Sequence, residues 1–277
     1  MLRRMKDAEG CSISATDGFI GHVKDYYFDD EAWVIRYLVV ETGPWLSGRK
    51  VLISLMAINQ PNWSERIIPV AITQEQVRNS PDIDTDKPVS RQHEELHLEY
   101  YRYPYYWSSP GVWGPAAYPN VMQPAAGSGW STERYRGAQN KSDRADSGRQ
   151  QNEDQHLRSG NTVMRYYVHA TDGDIGHVQG ILIDERTWAI RYLIVNTSNW
   201  WLGHEVLIAP AWIKNVIWAD SRVTVDLTRQ QIKDAPPYDP AASMSLEHEA
   251  RIHAYYNRDG YHPHEPSHEP AIPHLGP

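Results

Sequence analysis

Alternating apolar and polar positions divide much of the chain into short predicted strands. In "AWVIRYLVV", residues 32 to 40, successive side chains point to opposite faces, and both faces are largely apolar. β-Branched and aromatic residues dominate this run, which is typical of a strand buried within a barrel or sandwich. The shorter runs "GHVKDYYF", "KVLIS" and "IIPVAI" predict further strands, and polar or Gly-containing turns separate them. The pattern therefore favours a small barrel or meander over a parallel sheet.

The same pattern recurs later in the chain at one constant offset. Ala15 aligns with Ala170, an offset of 170 − 15 = 155, and no gap is needed as far as Tyr256. The segment "IRYL" at 35–38 returns at 190–193, and "VLI" at 51–53 returns at 206–208. Gap-free agreement over this distance indicates a duplicated domain.

A duplicated polar segment opens each copy and predicts a hairpin corner. "TDGFIGHV" at 16–23 returns as "TDGDIGHV" at 171–178. An Asp-Gly pair favours a tight turn, since Gly accepts positive φ and Asp bonds nearby backbone. The later Gly of each segment suits a bulge or a close approach of two strands. The predicted structural turn residues are Asp17, Gly18 and Gly21, with Asp172, Gly173 and Gly176 in the second copy.

Two short helices are predicted after the strands of each copy. "TQEQVRNSP" and "TRQQIKDAP" carry capping-box patterns that begin at Thr73 and Thr228, and a proline ends each one. "SRQHEELHLEYY" and "SLEHEARIHAYY" predict second helices with Ser90 and Ser245 as N-caps. These second helices are only weakly amphipathic, so we expect them to dock on the barrel edge or on a partner.

The remaining segments carry no sustained period of 2 or 3.6. Residues 102–160 are first rich in Pro, Gly, Tyr and Trp and then nearly all polar, which predicts a flexible low-complexity linker. The predicted organisation is therefore a first domain at 1–101, the linker at 102–160, a second domain at 161–256 and a disordered His/Pro-rich tail at 257–277.

Charge and cysteine content narrow the class of protein. A net charge of −8 argues against a nonspecific nucleic-acid binder, because phosphate neutralisation needs clustered Lys and Arg. The chain has no run of about 18 apolar residues, so we expect no membrane insertion. With one cysteine, Cys11, and no apolar stretch behind its basic start, the chain is expected to be cytoplasmic and to lack a signal peptide.

Two arginines interrupt the apolar strands and need partners. Arg36 and Arg191 lie at equivalent positions, and a buried Arg must be paired. A structural ion pair with Asp29 or Asp184, or with Glu31, is the favoured interpretation. The alternative is a site for an anion or an acidic partner.

Large apolar side chains on two loops form the candidate partner surface. The loops "PWLSGRK" and "NWWLGHE" present Trp45, Leu46, Trp200, Trp201 and Leu202. Exposed apolar loop residues often mark a contact surface. The alternative is that Trp45 and Trp200 fold back to plug each barrel.

The sequence offers no convincing catalytic, cofactor or metal site. His22 and His177 lie beside a turn without ligands at suitable spacing, so a surface strand position is favoured. The histidines near the C-terminus have a Pro-rich spacing that fixes no coordination geometry. We therefore expect no enzyme activity and no cofactor.

The order of motifs is similar to that of a known family. "DGxIGHV", the strand "WxIRYLxV", "W-x-x-G-x-x-VLI" and a short "T-x-x-Q" helix resemble the PRC-barrel family, the small barrels named for the cytoplasmic domain of the photosynthetic reaction-centre H subunit. The resemblance covers about 15–101 and 170–256. It implies a mainly β chain with two small PRC-type barrels in tandem, each followed by short helices.

The resemblance implies docking rather than chemistry. The expected function is a non-catalytic protein-binding or assembly module, with stress as a candidate context, which associates with a protein partner or with itself through the barrels. The alternative is a docking component of a membrane photosynthetic or electron-transfer complex, as in the H subunit. The chain carries no transmembrane helix of the H-subunit kind, so any membrane association would be peripheral.

Overall fold

The protein is mainly β in the residues that the structure, a computed structural model, describes: 1–81, 89–108, 111–123, 155–197, 204–242 and 244–259. The strands are β1 (Leu2–Arg4), β2 (Ser12–Ser14), β3 (Phe19–Asp29), β4 (Val34–Thr42), β5 (Lys50–Ser54), β6 (Ile67–Pro69), β7 (Val89–Ser90), β8 (Gln155–Ser159), β9 (Tyr167–Ala170), β10 (Gly173–Asp184), β11 (Ile190–Asn196), β12 (Glu205–Ile208), β13 (Ile213–Ile217) and β14 (Arg222–Val225). The α-helices are α1 (Gln74–Arg78), α2 (Arg91–Tyr101), α3 (Gly160–Val163), α4 (Arg229–Lys233) and α5 (Leu246–Tyr255).

The strands form two sheets of seven strands each. The first sheet has the order β5-β4-β3-β2-β6, with β8 paired to β3 and β7 paired to β8. The second has the order β12-β11-β10-β9-β14-β13, with β1 paired to β10. Neighbours are antiparallel except β2 with β6 and β9 with β14, which are parallel. The long bulged strands β3 and β10 lie at the centre of each sheet.

The prediction of closed barrels needs a correction. Among the described strands, each sheet is an open path, and no hydrogen-bonded ring closes. In the first sheet, β5 is short and runs directly into a 3-10 turn at Leu55–Ala57, which turns the chain away before it can pair along β6. Only isolated bridges follow, such as Ile58 with Val70. The two sheets instead enclose a shared apolar core by side-chain packing.

The pairing of the first sheet recurs in the second at the offset seen in the sequence. Phe28 pairs with Ile35, and Ile183 pairs with Ile190, where 183 − 28 = 155 and 190 − 35 = 155. The bulges also recur, since the register shifts between Val23 and Asp25 in β3 and at the corresponding residues of β10. The duplicated sequence therefore specifies the same strand register twice.

Each sheet contains a strand from the other half of the chain. β1 pairs with β10, with Leu2 opposite Asp184, and β8 pairs with β3, with Leu157 opposite Asp29. These pairs are counterparts, since 157 − 2 = 155 and 184 − 29 = 155. The predicted boundaries at 1–101 and 161–256 are therefore corrected, because residues 2–4 belong to the second sheet and 155–159 to the first. Both strands are too short to show a period in the sequence.

Ion pairs hold the two exchanged strands, β1 and β8, in place. Arg158 Nε donates to Asp30 Oδ2 at 2.8 Å, and Arg3 makes the equivalent bond to Glu185. Each guanidinium also lies over a tryptophan ring, at 4.3 Å for Arg3 and 4.4 Å for Arg158. The exchange is thus stabilised in the same way on both sides.

The two halves meet where each residue faces its own counterpart. Val34 forms an antiparallel bridge with Ala189, and 189 − 34 = 155. Ile35 N donates to Trp188 O at 3.0 Å, and Ile190 N donates to Trp33 O at 2.7 Å. A pseudo-twofold axis therefore passes between Val34 and Ala189, as in the isologous interface of a dimer.

The predicted linker is packed at both ends, which corrects its description as flexible. Tyr103, Tyr106, Trp113 and Met122 are buried, and Trp113 Nε1 donates to Thr187 O at 2.7 Å. Aromatic side chains can pack an irregular segment onto a sheet, and a periodicity search does not detect that kind of order. Residues 109–110 and 124–154, and all but residues 257–259 of the predicted tail, lie outside the described residues.

Candidate functional site

A buried charged cluster lies on the first sheet around Arg36. Its side chain is 3% exposed, and Nη2 lies 3.2 Å from Asp29 Oδ2. The guanidinium lies over the ring of Tyr106 at 3.7 Å and that of Trp113 at 4.7 Å. Arg36 thus has the Asp29 partner that the sequence suggested, together with an aromatic cover from the segment predicted to be a linker.

Glu94 of α2 connects this cluster to the exchanged strand. Its carboxylate accepts hydrogen bonds from Arg91 Nη1 at 3.0 Å and from Tyr106 Oη at 2.6 Å, and it lies 2.9 Å from His156 Nε2. Glu94 and His156 are both buried. We call residues 103–108 and 111–113 of the predicted linker the aromatic segment. One carboxylate therefore holds helix α2, strand β8 and the aromatic segment together.

The second half has a smaller version of this cluster. Arg191 Nη2 donates to Glu249 Oε1 at 2.7 Å, and Tyr192 Oη donates to the same oxygen at 3.1 Å. Arg191 therefore pairs with the counterpart of Glu94, since 249 − 155 = 94, and not with Asp184 as the sequence suggested. Asp184 Oδ1 instead accepts the backbone N–H groups of Arg186 and Thr187 in the tight turn between β10 and β11.

Burial and the Glu94 carboxylate together set the protonation states of the aromatic side chains around this cluster. Burial raises the pKa values of Tyr37 and Tyr106 well above their ordinary value, and Glu94 raises them further. Both hydroxyls therefore stay protonated at neutral pH. Burial also lowers the pKa of His97 to about 4, so this imidazole is neutral at neutral pH. Sequence reasoning missed Glu94, although its recurrence as Glu249 was a usable signal.

The Asp-Gly turns lie at the predicted corners and have an additional role. Asp17 Oδ1 accepts the backbone N–H of Gln74 at 2.8 Å, and Asp172 Oδ1 accepts that of Arg229 at 2.7 Å. Each aspartate thus bonds the first residue of the helix that follows the strands. Gly18 and its counterpart, Gly173, have φ values of +156° and +141°.

Gly21 and Gly176 mark the close approach of two strands. A Cβ on Gly21 would lie 2.0 Å from Glu41 O, and one on Gly176 would lie 1.8 Å from Asn196 O. Both distances are far below a van der Waals contact, so a side chain at either position would force the strands apart.

Comparison with known protein families identifies the N-terminal unit. Residues 4–77 match the model of the PRC-barrel domain. The chain contains a PRC-barrel domain. The match spans β2 to β6 and most of α1, and it leaves α2, the aromatic segment and the second sheet outside. The search of curated proteins found no match to the chain.

One face of the PRC-barrel domain carries exposed aromatic side chains. Phe19 is 42% exposed, and Trp45 and Leu46 are half-buried against the core. The rings of Phe19 and Trp45 both lie within 4 Å of the point that a Cβ on Gly43 would occupy. We call Phe19, Trp45 and Leu46 the aromatic patch. Trp200, Trp201 and Leu202, the other predicted contact residues, lie outside the described residues.

Trp45 is packed on the domain along one edge and exposed along another. Its Nε1 donates to Ile20 O at 2.8 Å, and the guanidinium of Arg78 lies 5.7 Å from its ring. The indole is therefore fixed in place by the PRC-barrel domain while part of its surface faces solvent. Sequence reasoning missed Phe19, whose counterpart in the second half is Asp174.

The described residues offer no alternative site of two common kinds. No helix among them is long and apolar enough to cross a membrane. In the same part of the chain, no three His, Cys, Asp or Glu side chains are grouped so that they could hold a metal ion.

Proposed function

We propose that this protein is a non-catalytic, cytoplasmic protein-binding or assembly module made of two PRC-barrel units. The family match at 4–77 supports the first unit. The second unit is supported by the gap-free sequence repeat and by the same strand pairs at the same offset. PRC-barrel domains suggest interaction and assembly in general, and the buried Arg36 and Glu94 are engaged in contacts that hold the fold together.

The exchanged strands give the module a fixed geometry. Because β1 and β8 cross between the halves, the two units cannot separate without breaking both sheets. Their outer faces are therefore presented at a constant orientation. A partner that contacts both units would meet a rigid surface. Its binding would therefore cost little conformational entropy of the module.

The observation that carries the proposal is the aromatic patch on the PRC-barrel domain. Phe19 exposes a large ring beside an indole that the protein holds in one orientation. Rigid aromatic side chains of this kind are typical anchors of protein interfaces. The second half has Asp174 in place of Phe19, so we infer that the first unit provides the principal partner surface.

Crosslinking and mass spectrometry in native lysate tests this proposal. The wild-type chain is compared with Phe19→Asp, which introduces the residue that the second half already has. The control is Leu246→Asp, because Leu246 is 84% exposed and lies on α5 in the other half. We expect a specific crosslinked protein with the wild type and the control, and its loss with Phe19→Asp.

Other results would change the assignment. An unchanged crosslink pattern with Phe19→Asp would reject the aromatic patch as the partner surface. Recovery of subunits of a membrane photosynthetic or electron-transfer complex would favour the alternative role as a docking component. A role in stress stays a prediction, and a change in the chain's abundance under stress is the measurement that addresses it.

A further inference from the structure

A cavity of about 340 Å³ lies between the two halves of the protein. Residues at equivalent positions of the repeat line it together. Tyr26 and its counterpart Ile181 both belong to the lining, as do Glu9 and its counterpart Met164, where 181 − 26 = 155 and 164 − 9 = 155. The cavity is therefore next to the pseudo-twofold axis.

The corresponding place in the first half is filled by a carboxylate. Asp25 accepts hydrogen bonds from Ser159 Oγ at 2.5 Å and from Asn161 N at 3.1 Å. The carboxylate is thus fixed between β3 and the residues that follow the exchanged strand β8.

The second half lacks that carboxylate and has basic residues at the positions of Ser159 and Asn161. The counterpart of Asp25 is Gly180, since 180 − 25 = 155. The counterparts of Ser159 and Asn161 are Arg4 and Lys6, since 159 − 4 = 155 and 161 − 6 = 155. Gly180, Arg4 and Lys6 all line the cavity. The second half therefore has a glycine where the first half has a carboxylate, and two basic residues line the cavity beside it.

Two buried donors at the cavity have no hydrogen-bond partner among the described residues. Arg4 bonds Glu205 through Nη2, but its Nε is buried and without a partner among the described residues. The same is true of the hydroxyl of Tyr26, which is 1% exposed. Lys6 and Arg165 also line the cavity, and both side chains are exposed to solvent. A buried donor without a partner is unfavourable, and a bound oxyanion would satisfy it.

The lining also distinguishes an organic acid from an inorganic anion. Ile181, Ile194 and Met164 give the cavity an apolar wall. Glu9 is the acidic residue of the lining, and it opposes an anion with a high charge more strongly than a single carboxylate. We propose that this cavity binds a small organic carboxylate, whose carboxyl group takes the position of Asp25 and whose carbon chain packs on the two isoleucines.

Isothermal titration calorimetry of the full chain with sodium butyrate tests this site, with inorganic phosphate in a second titration. The deciding variant is Gly180→Asp, which supplies the acidic group that the first half has. A Cβ on Gly180 would meet the side chain of Ile194, with Cδ1 nearest at 3.0 Å, so the variant is accepted only if circular dichroism shows an intact fold. A second variant, Lys6→Asn, introduces the counterpart residue at an exposed position. Its matched control is Lys214→Asn, since Lys214 is exposed and is not part of the lining.

We expect one butyrate per chain for the wild type and for Lys214→Asn, and no binding to Gly180→Asp. Lys6→Asn should weaken binding about tenfold, as expected for the loss of one charged hydrogen bond. The absence of saturable butyrate binding, or equal binding by Gly180→Asp, would overturn the proposal. Binding of phosphate without butyrate would also overturn it, because the site would then select an inorganic anion.

Discussion

Glu94 is the carboxylate whose removal should destabilise this protein most clearly. Glu94→Ala removes three hydrogen bonds, of which those to His156 and Tyr106 join buried groups. Arg91 is partly exposed and can turn to water, so it contributes less. Each buried group left without a partner costs about 1–3 kcal/mol. Including the space left by the side chain, we expect a loss of about 3–5 kcal/mol in the free energy of unfolding.

Guanidinium chloride unfolding, followed by circular dichroism, measures this loss. The matched control is Glu99→Ala, on the same helix, because Glu99 is exposed and accepts one bond from Tyr105 Oη at 2.8 Å. We expect that control to change the free energy of unfolding by no more than about 0.5 kcal/mol. If Glu94→Ala costs less than about 1 kcal/mol, or no more than the control, the cluster does not hold α2 and β8 together as we infer.

Two further predictions concern strand contact and pH. Gly21→Ala should lower the free energy of unfolding by about 3 kcal/mol, because its Cβ would lie 2.0 Å from Glu41 O. The control is Gly48→Ala, because Gly48 has φ +70° and a Cβ there would have no atom within 4 Å; it should cost about 1 kcal/mol. Equal losses for the two variants in urea unfolding would contradict this reasoning. His97 takes up a proton near pH 6.5 in the unfolded chain but only near pH 4 in the folded chain. The free energy of unfolding should therefore fall as the pH drops through this window, by about 3 kcal/mol in total. His97→Gln should retain a donor for Leu52 O and show a flatter pH profile in the same measurement, and an unchanged profile would count against this role of His97.

Local features of this protein were predictable because their energies are local. The strand cores, the Asp-Gly corners and both capping boxes are where the alternation and the cap residues indicated, and Thr73 and Thr228 cap their helices as expected. These features depend on neighbouring residues and on the repeat, which both lie within a sequence window.

The candidate sites were only partly predictable. Arg36 was recognisable as a charge within an apolar strand, but its aromatic cover comes from Tyr106 and Trp113, far along the chain in a segment without a period. Phe19 was hidden because one exposed aromatic residue at the start of a strand gives no pattern. Asp184, offered as the partner of Arg191, is occupied by backbone bonds that a sequence does not display.

The sequence by itself indicated the central strands, the turns, the helix caps and the repeat, since each follows from nearby residues or from the constant offset between the two copies. Only the tertiary structure decided that β1 and β8 cross between the halves, that Glu94 meets His156, and that Gly180 leaves a cavity where Asp25 fills its counterpart. The physical reason is that both halves present equivalent strand edges, so local preferences do not select which edge a short strand joins. That choice depends on long-range contacts, such as the ion pairs of Arg3 and Arg158, which exist only once the chain has folded.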